Sequence, residues 1–248
     1  LIFGIYQKII TIRNLIKNTF KKYKRIDVFF NCAGVQPVND GDITKMSFGS
    51  HKLDDGTIVF YLPGKKDGSC LQTDVSDYCE NPIATTAIGT FFSLKWEIKY
   101  SLKYQPKDLP VSIINMSSRN GVLADSHRPL YASSKEFVVS LTKSCASQVA
   151  QKVYKLKRAQ IRINAVSPGP IDTPLERAAF GNSQDGPASE EYIKKACYGV
   201  PMARLGTVDE VSQCVMFLAD NKMSSYVTGA NLSVDGGHTG SPVLGTIM

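Results

Sequence analysis

Short apolar, β-branched runs alternate with helix-forming segments along this chain, and the alternation limits the folds open to it. Strand-like runs lie at residues 26–30, 111–116, 161–166 and 231–234. Helical segments lie at residues 11–24, 83–104, 131–155 and 207–220, and the apolar start, residues 1–10, suits a further strand or strand end. Helices alternating with buried strands predict an α/β fold, a Rossmann-like doubly wound parallel sheet in three α/β/α layers. We predict one such domain over residues 1–248.

Two polar segments interrupt this alternation. Residues 35–80 are rich in Gly, Asp, Ser and Lys, and within them residues 57–73 have the pattern of a β-hairpin, so we interpret 35–80 as an inserted loop with a hairpin. Residues 174–205 are punctuated by glycine and proline, which predicts a substrate lid that includes Arg204. The hinges we expect in this lid are Gly181, Gly186 and Pro187.

The positive charge of the chain is concentrated in two short runs. The formal net charge is +7 and the sequence pI is about 9.0. Residues 17–25 and 152–162 carry much of the excess, interleaved with apolar residues at helical spacing. This pattern favours solvated helix faces over a surface for acidic lipid or nucleic acid, so we expect no nucleic-acid partner.

Cysteine and histidine usage indicates an intracellular, cytoplasmic protein without a metal site. The six cysteines form no CxxC pair, which is typical of reduced thiols, and there are only three histidines. No apolar run reaches membrane-spanning length, so we expect no membrane span. The apolar start is interrupted too early, by Lys8, to resemble a signal peptide.

Tyr131 and Lys135 form the first candidate catalytic pair. Residues four apart lie on one face of a helix, about one turn from each other. A nearby ammonium favours the phenolate, so we expect Lys135 to lower the pKa of Tyr131 and make it a general acid/base. By itself the pair is more typical of an ordinary helix that has an exposed lysine, because such pairs arise by chance in many helices.

Polar and small residues follow three of the predicted strands. Residues 31–34, 117–118 and 168–173 come directly after apolar runs, and the carboxyl ends of parallel strands meet at one edge of the sheet. There Ser118 could donate a hydrogen bond to a substrate carbonyl oxygen while Tyr131 supplies the proton. This arrangement suits hydride transfer between a nicotinamide and a carbonyl or alcohol carbon.

With these motifs in place, the sequence resembles the short-chain dehydrogenase/reductase family from about residue 10 to 238. Tyr131-Ala132-Ser133-Ser134-Lys135 is similar to the family's Y-x-A-S-K, with Ala and Ser shifted, and Ser118 precedes the tyrosine by thirteen residues. Further matching segments are residues 31–34 (for N-N-A-G), 164–173, 201–206 and 227–237.

The resemblance implies an NAD(P)-dependent oxidoreductase that interconverts a secondary alcohol and a ketone. It implies a small carbonyl or alcohol substrate and a homodimer or homotetramer. In the family the tyrosine is the acid/base, the lysine holds the nicotinamide ribose and the serine orients the substrate, which assigns catalysis to Ser118, Tyr131 and Lys135. The cofactor, NADP or NAD, would be held by Asn31, Ala33, Gly34, Tyr131, Lys135, Pro168, Gly169, Ile171 and Thr173.

Two departures from the family pattern are visible. The family opens with a strand and a T-G-x-x-x-G-x-G turn that seats the cofactor pyrophosphate, and no such motif occurs in these 248 residues. By resemblance the N-terminal strands are missing or replaced, which leaves residues 26–31 without one neighbour. Either the sequence is a fragment, or it continues upstream, or another segment fills the gap, for which the hairpin near 57–62 is a candidate. The family's helix asparagine, which helps to hold a water in the proton relay, falls on Thr86.

Several single residues near the predicted site, and the function itself, have more than one interpretation. Ser118 is favoured over Ser117 by its spacing; Arg119 is read as a surface loop residue, with contact to an anionic substrate as the alternative. We expect Cys32 to pack as a small apolar residue and His127 to lie in a solvated loop. The alternative function is a catalytically silent relative with a structural or subunit role in a larger assembly.

Overall fold

The computed structural model describes residues 2–35, 49–52, 58–61, 82–179 and 188–240. The strands are β1 (Val28–Asn31), β2 (Gly49–Lys52), β3 (Ile58–Tyr61), β4 (Val111–Met116), β5 (Ile161–Pro168) and β6 (Asn231–Val234). The helices are α1 (Ile2–Tyr23), α2 (Gly89–Tyr104), α3 (Pro129–Lys155), α4 (Pro174–Ala179), α5 (Glu190–Ala196) and α6 (Val208–Ala219). A π-helical turn, Ile83–Ile88, runs directly into α2, and short 3₁₀ turns lie at Arg119–Gly121 and His238–Gly240.

Four of the apolar runs form one parallel sheet in the order β1-β4-β5-β6. The register sets Asn31 beside Asn115, and Asn115 beside Ala165, so the carboxyl ends of β1, β4 and β5 lie next to one another. Ile113 and Ile163 are fully buried, as expected for parallel strands covered on both faces. The predicted α/β fold with a doubly wound parallel sheet is confirmed.

Helices cover the two faces of this sheet unequally. On one face α1, α2 and α3 pack over the strands, and this larger core contains Ile16, Phe20, Phe29, Leu94, Tyr100, Val149, Val153 and Ile161. On the other face α6 packs against β4, β5 and β6, with a smaller core around Ile114, Val166, Val211 and Leu218. A capping box between Thr207 and Glu210 starts α6, as the sequence predicts for Thr207.

Strand β1 is the exposed edge of the described sheet. Among the described residues its neighbour is β4 alone, and Val28 and Phe30 are 41% and 45% exposed, whereas Phe29 between them is buried. In the part of the chain that the structure describes, β1 is therefore paired on one side.

Two predictions near the start of the chain are wrong in detail. Residues 2–10 belong to helix α1 and do not form a strand; a short apolar run cannot be assigned by periodicity alone, and this one continues the amphipathic helix that follows it. The hairpin pairs β2 with β3, antiparallel, so residues 58–61 form its second strand and not its first. The predicted partner segment 65–73 lies outside the described residues. Because β2 and β3 form a separate two-stranded sheet, they do not fill the place beside β1.

The basic runs agree with the prediction only in part. In the run 17–25 the lysines and Arg25 are exposed, as expected for a solvated helix face. In the second run Arg158 instead donates to the carbonyls of Leu102, Ser101 and Gln105, and Arg162 is buried against the carbonyl of Leu218. None of the helices in the described residues is long and apolar enough to cross a membrane.

A buried polar chain ties β1 to the helices behind it. The side-chain amide of Asn31 donates to Glu97 Oε2 at 3.1 Å and to Asn115 Oδ1 at 2.9 Å. Asn115 in turn donates to Thr142 Oγ1 at 2.9 Å, which joins β4 to α3. Burial raises the pKa of Glu97 to about 7, although the hydrogen bond from Asn31 opposes this shift.

Replacement of Glu97 with glutamine should stabilise the protein above neutral pH. A carboxyl whose pKa is raised on folding binds more protons in the folded state, so the stability of the wild type falls as pH rises from 4.5 to about 7. Glutamine keeps an acceptor for Asn31 and carries no charge to bury. At pH 8 Glu97→Gln should gain about 2–3 kcal/mol in urea unfolding, and at pH 4.5 little or nothing. The exposed Glu136→Gln on α3 is the control; an equal gain at both pH values for Glu97→Gln would contradict the burial argument.

Candidate active site

A cleft of about 400 Å³ lies at the carboxyl edge of the sheet. The ends of β1, β4 and β5, the start of α3 and one side of α6 form its walls. Eight of the residues predicted for the site line it: Gly34, Ser118, Tyr131, Lys135, Pro168, Gly169, Ile171 and Thr173. The fold therefore brings together most of the residues that the sequence predicted for the site.

The first turns of α3 carry Tyr131 and Lys135 into this cleft. Pro129 stands at the start of the helix, where its missing N–H and fixed φ are compatible with helix initiation. Tyr131 is 7% and Lys135 5% exposed, so both side chains are almost withdrawn from solvent. The pair lies on one helix face, as the four-residue spacing predicts.

Asp125 organises the loop between Ser118 and Tyr131. Its carboxylate accepts hydrogen bonds from the side chains of Asn120, at 2.7 Å, and Arg128, at 2.9 Å, and from the His127 backbone N–H. Burial alone would raise the pKa of Asp125, but the Arg128 charge and these hydrogen bonds hold it below its ordinary value. The loop thus has an ionised carboxylate at its centre, while the His127 side chain is exposed, as expected.

The two candidate serines have different partners. Ser117 is buried, and its hydroxyl donates to the Lys135 backbone carbonyl at 2.9 Å, which ties the end of β4 to α3. Ser118 shares a hydrogen bond between its hydroxyl and that of Tyr131, and it accepts from the Asn120 N–H at 3.2 Å. The geometry therefore supports Ser118 over Ser117 as the residue that can face a substrate oxygen.

The structure does not show the expected lowering of the Tyr131 pKa by Lys135. Burial raises the pKa of Tyr131, although the hydrogen bond with Ser118 and the charges of Arg128 and Arg119 act in the opposite direction. The Lys135 ammonium lies 5.6 Å from the centroid of the tyrosine ring, over its face. Desolvation of a phenol favours its neutral form, so the tyrosine is protonated at neutral pH.

Lys135 sits at the junction of β1, β4 and α3. Its ammonium donates to the Met116 backbone carbonyl at 3.2 Å. Burial lowers the pKa of Lys135 to about 8, partly offset by Cys32. Cys32 is exposed and lines the cleft, so the expectation that it packs as a small apolar residue is wrong.

Gly34 is packed closely between Lys135 and the π-helical turn. A Cβ at Gly34 would lie 3.2 Å from Lys135 Nζ and 3.3 Å from Thr86 Oγ1. Thr86 is buried, and its hydroxyl has no hydrogen-bond partner among the described residues. A larger residue at position 34 would therefore have to displace the Lys135 ammonium or Thr86.

Two of the residues predicted to hold the cofactor lie outside the cleft. Asn31 and Ala33 line an adjoining depression of about 370 Å³ between the end of β1, α1 and the π-helical turn. The Asn31 amide is directed to Glu97 and Asn115 and so serves the polar chain behind the sheet. Spacing along the sequence could place Asn31 near the site but could not show which way its side chain points.

Three charged residues also line the cleft: Arg128 and Glu176, which sequence reasoning missed, and Arg119, which it interpreted as a surface loop residue with contact to an anionic substrate as the alternative. Arg119 is partly buried, and its Nη1 lies 2.9 Å from His238 Nδ1, so it is not a surface loop residue. Arg128 pairs with Asp125 at 2.8 Å, and its guanidinium carbon lies 5.6 Å from the centroid of the Tyr131 ring. The sequence did contain a signal for the two arginines, since Arg119 directly follows Ser118 and Arg128 lies three residues before Tyr131.

The predicted lid contributes one described residue to the cleft. Glu176, on α4, lines it, whereas Tyr192 is buried and Tyr198 is exposed elsewhere. Arg204 pairs with Glu210 at 2.6 Å, outside the cleft. The hinge residues Gly181, Gly186 and Pro187 lie outside the described residues. Within the described ranges no cluster of His, Cys, Asp and Glu could hold a metal ion; Cys70 and Cys79 are not among them.

Known proteins share this fold and these motifs. The family model described as enoyl-(acyl carrier protein) reductase matches residues 64–239. The chain is 42% identical over 259 residues to an uncharacterized short-chain type dehydrogenase/reductase of Acanthamoeba polyphaga mimivirus, covering 94% of this chain and 75% of that protein. The chain belongs to the short-chain dehydrogenase/reductase family, whose members are NAD(P)-dependent oxidoreductases.

Solved structures agree with this membership. ElxO with NADP bound is 27% identical, with a TM-score of 0.63 over 93% of this chain and 74% of that one. Ligand-free aldohexose dehydrogenase of Thermoplasma acidophilum is 28% identical, with a TM-score of 0.65 over 96% of this chain and 77% of that one. The predicted family is thus confirmed by sequence and by fold.

Gly121→Ala should disturb the loop that carries Ser118. An added Cβ would lie 2.8 Å from the Lys135 backbone oxygen and collide with Ser117 Oγ, and the backbone of α3 cannot move aside without shifting Lys135. We expect a loss of about 2–3 kcal/mol in urea unfolding, as for an overpacked core. Gly240→Ala is the matched control, because a Cβ there meets nothing within 4 Å. Equal unfolding midpoints for the two variants would contradict the argument that an added Cβ at Gly121 collides with its neighbours.

Proposed function

We propose that this protein interconverts a ketone and a secondary alcohol by hydride transfer, with Tyr131 as acid/base. The observation that carries the proposal is the hydrogen bond between the hydroxyls of Ser118 and Tyr131 in a cleft that the Lys135 ammonium also lines. A substrate oxygen beside both hydroxyls would be oriented by Ser118 and protonated by Tyr131. If Ser118, Tyr131 and Lys135 only stabilised the fold, apolar side chains at these positions would do so better.

The residues of the cleft fit the nicotinamide and its ribose. The Lys135 ammonium lines the cleft together with Gly34, and ribose hydroxyls would accept hydrogen bonds from it. On the opposite wall Pro168, Gly169, Ile171 and Thr173 would hold the nicotinamide end. When bound, NAD or NADP supplies or accepts the hydride. Asn31 would act on this site only indirectly, through the position of β1.

The state of Tyr131 favours the reductive direction at neutral pH. In reduction the carbonyl carbon gains a hydride, and the carbonyl oxygen gains the proton of Tyr131 Oη, which becomes a phenolate. Because burial raises the pKa of Tyr131, the protonated form that this step requires is present at neutral pH. Oxidation of the alcohol requires the phenolate, so it should need a higher pH.

A catalytically silent relative with a subunit role is the second candidate. It is favoured by the threonine at position 86, which stands where the family has its helix asparagine. A silent scaffold would have no need of a buried lysine beside the Ser118–Tyr131 pair, since a buried charge costs free energy unless a ligand or partner compensates it. Calorimetric titration with NADH and NADPH separates the two candidates.

We also propose a cytoplasmic homodimer or homotetramer. A groove between α2 and α3 has an apolar part, which includes Ile98, Leu141 and the 41% exposed Phe91, and it is also lined by four lysines, Lys95, Lys99, Lys103 and Lys152. Burial of such a patch against a second copy would remove it from water. Sedimentation equilibrium of the wild type and of Phe91→Lys should show a larger species for the wild type alone; a monomeric wild type would refute the proposal.

Tyr131→Phe should abolish hydride transfer and leave cofactor binding unchanged. The substitution removes only the hydroxyl that exchanges the proton, and general acid catalysis contributes roughly 10²–10⁴-fold in rate. The measurement is NAD(P)H oxidation by full-length protein with a ketone panel, together with calorimetric binding of the cofactor. Tyr154→Phe, at an 81% exposed position on the same helix, is the control. If Tyr131→Phe keeps most of the wild-type rate, Tyr131 is not the acid/base.

A further inference from the structure

His238 connects the 3₁₀ turn His238–Gly240 to the loop that carries the proposed substrate serine. Its Nδ1 lies 2.9 Å from Arg119 Nη1, although the two residues are 119 positions apart in the sequence. Arg119 directly follows Ser118 and lines the cleft. The place of the turn after β6 therefore decides where the Arg119 guanidinium lies relative to the cleft.

The contact also determines the protonation state of the imidazole. A guanidinium can only donate hydrogen bonds, so His238 Nδ1 is the acceptor, and the ring is neutral with its proton on Nε2. Burial and the Arg119 charge lower the pKa of His238, whereas Asp235 acts in the opposite direction. The histidine thus orients the guanidinium by a hydrogen bond, while Glu176 acts on the same guanidinium through its charge.

Close contacts hold the turn that presents this imidazole. Asp235 is buried, and its carboxylate accepts from the Thr239 N–H at 2.9 Å and from the Thr239 hydroxyl at 2.6 Å. Asp235 packs against Gly169 at the end of β5, where an added Cβ would lie 2.8 Å from the Asp235 Cα. The His238 ring packs against Gly199, where an added Cβ would lie 3.3 Å from Nε2. The ring therefore has little freedom to move away from its partner.

The position of Arg119 matters for the chemistry because its charge acts on the phenol. Burial raises the pKa of Tyr131, and the Glu176 charge adds to this rise. The hydrogen bond with Ser118 and the charges of Arg128 and Arg119 lower the pKa of the same phenol. Since the energy between two charges depends on their distance, a guanidinium without a fixed position would stabilise the phenolate less.

We propose that His238 is a positioning residue of the active site, which holds the Arg119 guanidinium where it favours the phenolate of Tyr131. The proposal rests on the proposed function, because it takes Tyr131 as the acid/base. A contact that served the fold alone would stabilise the protein and leave the ionisation of Tyr131 unchanged, so the two roles can be measured separately.

Two substitutions of equal shape separate the acceptor of His238 from its bulk. Asparagine has an oxygen close to the position of Nδ1 and can accept from Arg119, whereas leucine has the same branching and no acceptor. The ionisation of Tyr131 is followed by NMR of ¹³C-labelled tyrosine in the full-length protein, with Tyr131→Phe to assign the signal. We expect the phenol to titrate at higher pH in His238→Leu than in the wild type, and at the wild-type pH in His238→Asn.

The rate of alcohol oxidation should change in the same sense, because oxidation requires the phenolate. At neutral pH we expect His238→Leu to be slower by about fivefold, the order expected for a charge that loses its fixed position, with unchanged affinity for the oxidised cofactor. His238→Asn should restore most of the rate.

Two controls assign the effect to Arg119. His127→Leu, at a side chain that is 85% exposed, should change neither the titration nor the rate. In the Arg119→Met background His238→Leu should have no further effect on the phenol, because the group that it positions is gone. Arg119→Met alone should raise the pKa of His238, which tests the contact even where His238→Leu does not fold.

Four results would overturn the proposal. They are equal titration of Tyr131 in the wild type and a folded His238→Leu, equal effects of leucine and asparagine at position 238, a leucine effect that persists without Arg119, and an unchanged pKa of His238 in Arg119→Met. Thermal unfolding verifies that each variant is folded. Failure of the proposed function is seen separately, as a lack of NAD(P)H oxidation with every ketone, because neither titration requires turnover.

Discussion

The position of helix α3 along the sheet decides whether its first turns reach the strand ends, and the buried amide chain fixes that position. Asn31 on β1 bonds to Asn115 on β4, and Asn115 bonds to Thr142 on α3. Thr142 lies two turns beyond Lys135 on the same helix face, so the contact that holds Thr142 beside Asn115 also fixes Lys135, whose ammonium donates to the carbonyl of Met116 at the end of β4. Buried amides have few alternative partners, which makes this register more specific than apolar packing alone would be.

The uneven cover of the sheet explains the size and place of the cleft. Helix α6 packs on β4, β5 and β6, so the face of β1 on that side is bare in the described structure, and Phe30 there is 45% exposed. The wall of the cleft is therefore a strand surface at one end and the apolar side of α6 at the other. An apolar lining with few polar groups at its centre is the usual form of a site for a flat ligand.

The sequence predicted the parts of this site that depend on local pattern, and it failed where contacts span the chain. The bounds of strands 111–116 and 231–234 agree with the structure because apolar runs and polar ends coincide there. The role of Asn31 depends on Glu97, 66 residues away, and that of Arg119 on His238, 119 residues away. No spacing rule reports such partners. The first ten residues were misassigned because a short apolar run suits a strand or a buried helix face equally.

Tyr131 and Lys135 do not behave as a phenolate paired with an ammonium. Both side chains are buried, and burial favours the neutral form of each, so the pKa of Tyr131 rises while that of Lys135 falls to about 8. As pH rises the lysine therefore loses its proton before the tyrosine does. A phenolate would need a stabilising donor or positive charge, and Ser118, Arg119 and Arg128 are the described groups that act in this direction. At neutral pH the Tyr131 phenol is therefore protonated, and Ser118 and the two guanidiniums, rather than the lysine, are the groups that favour its phenolate.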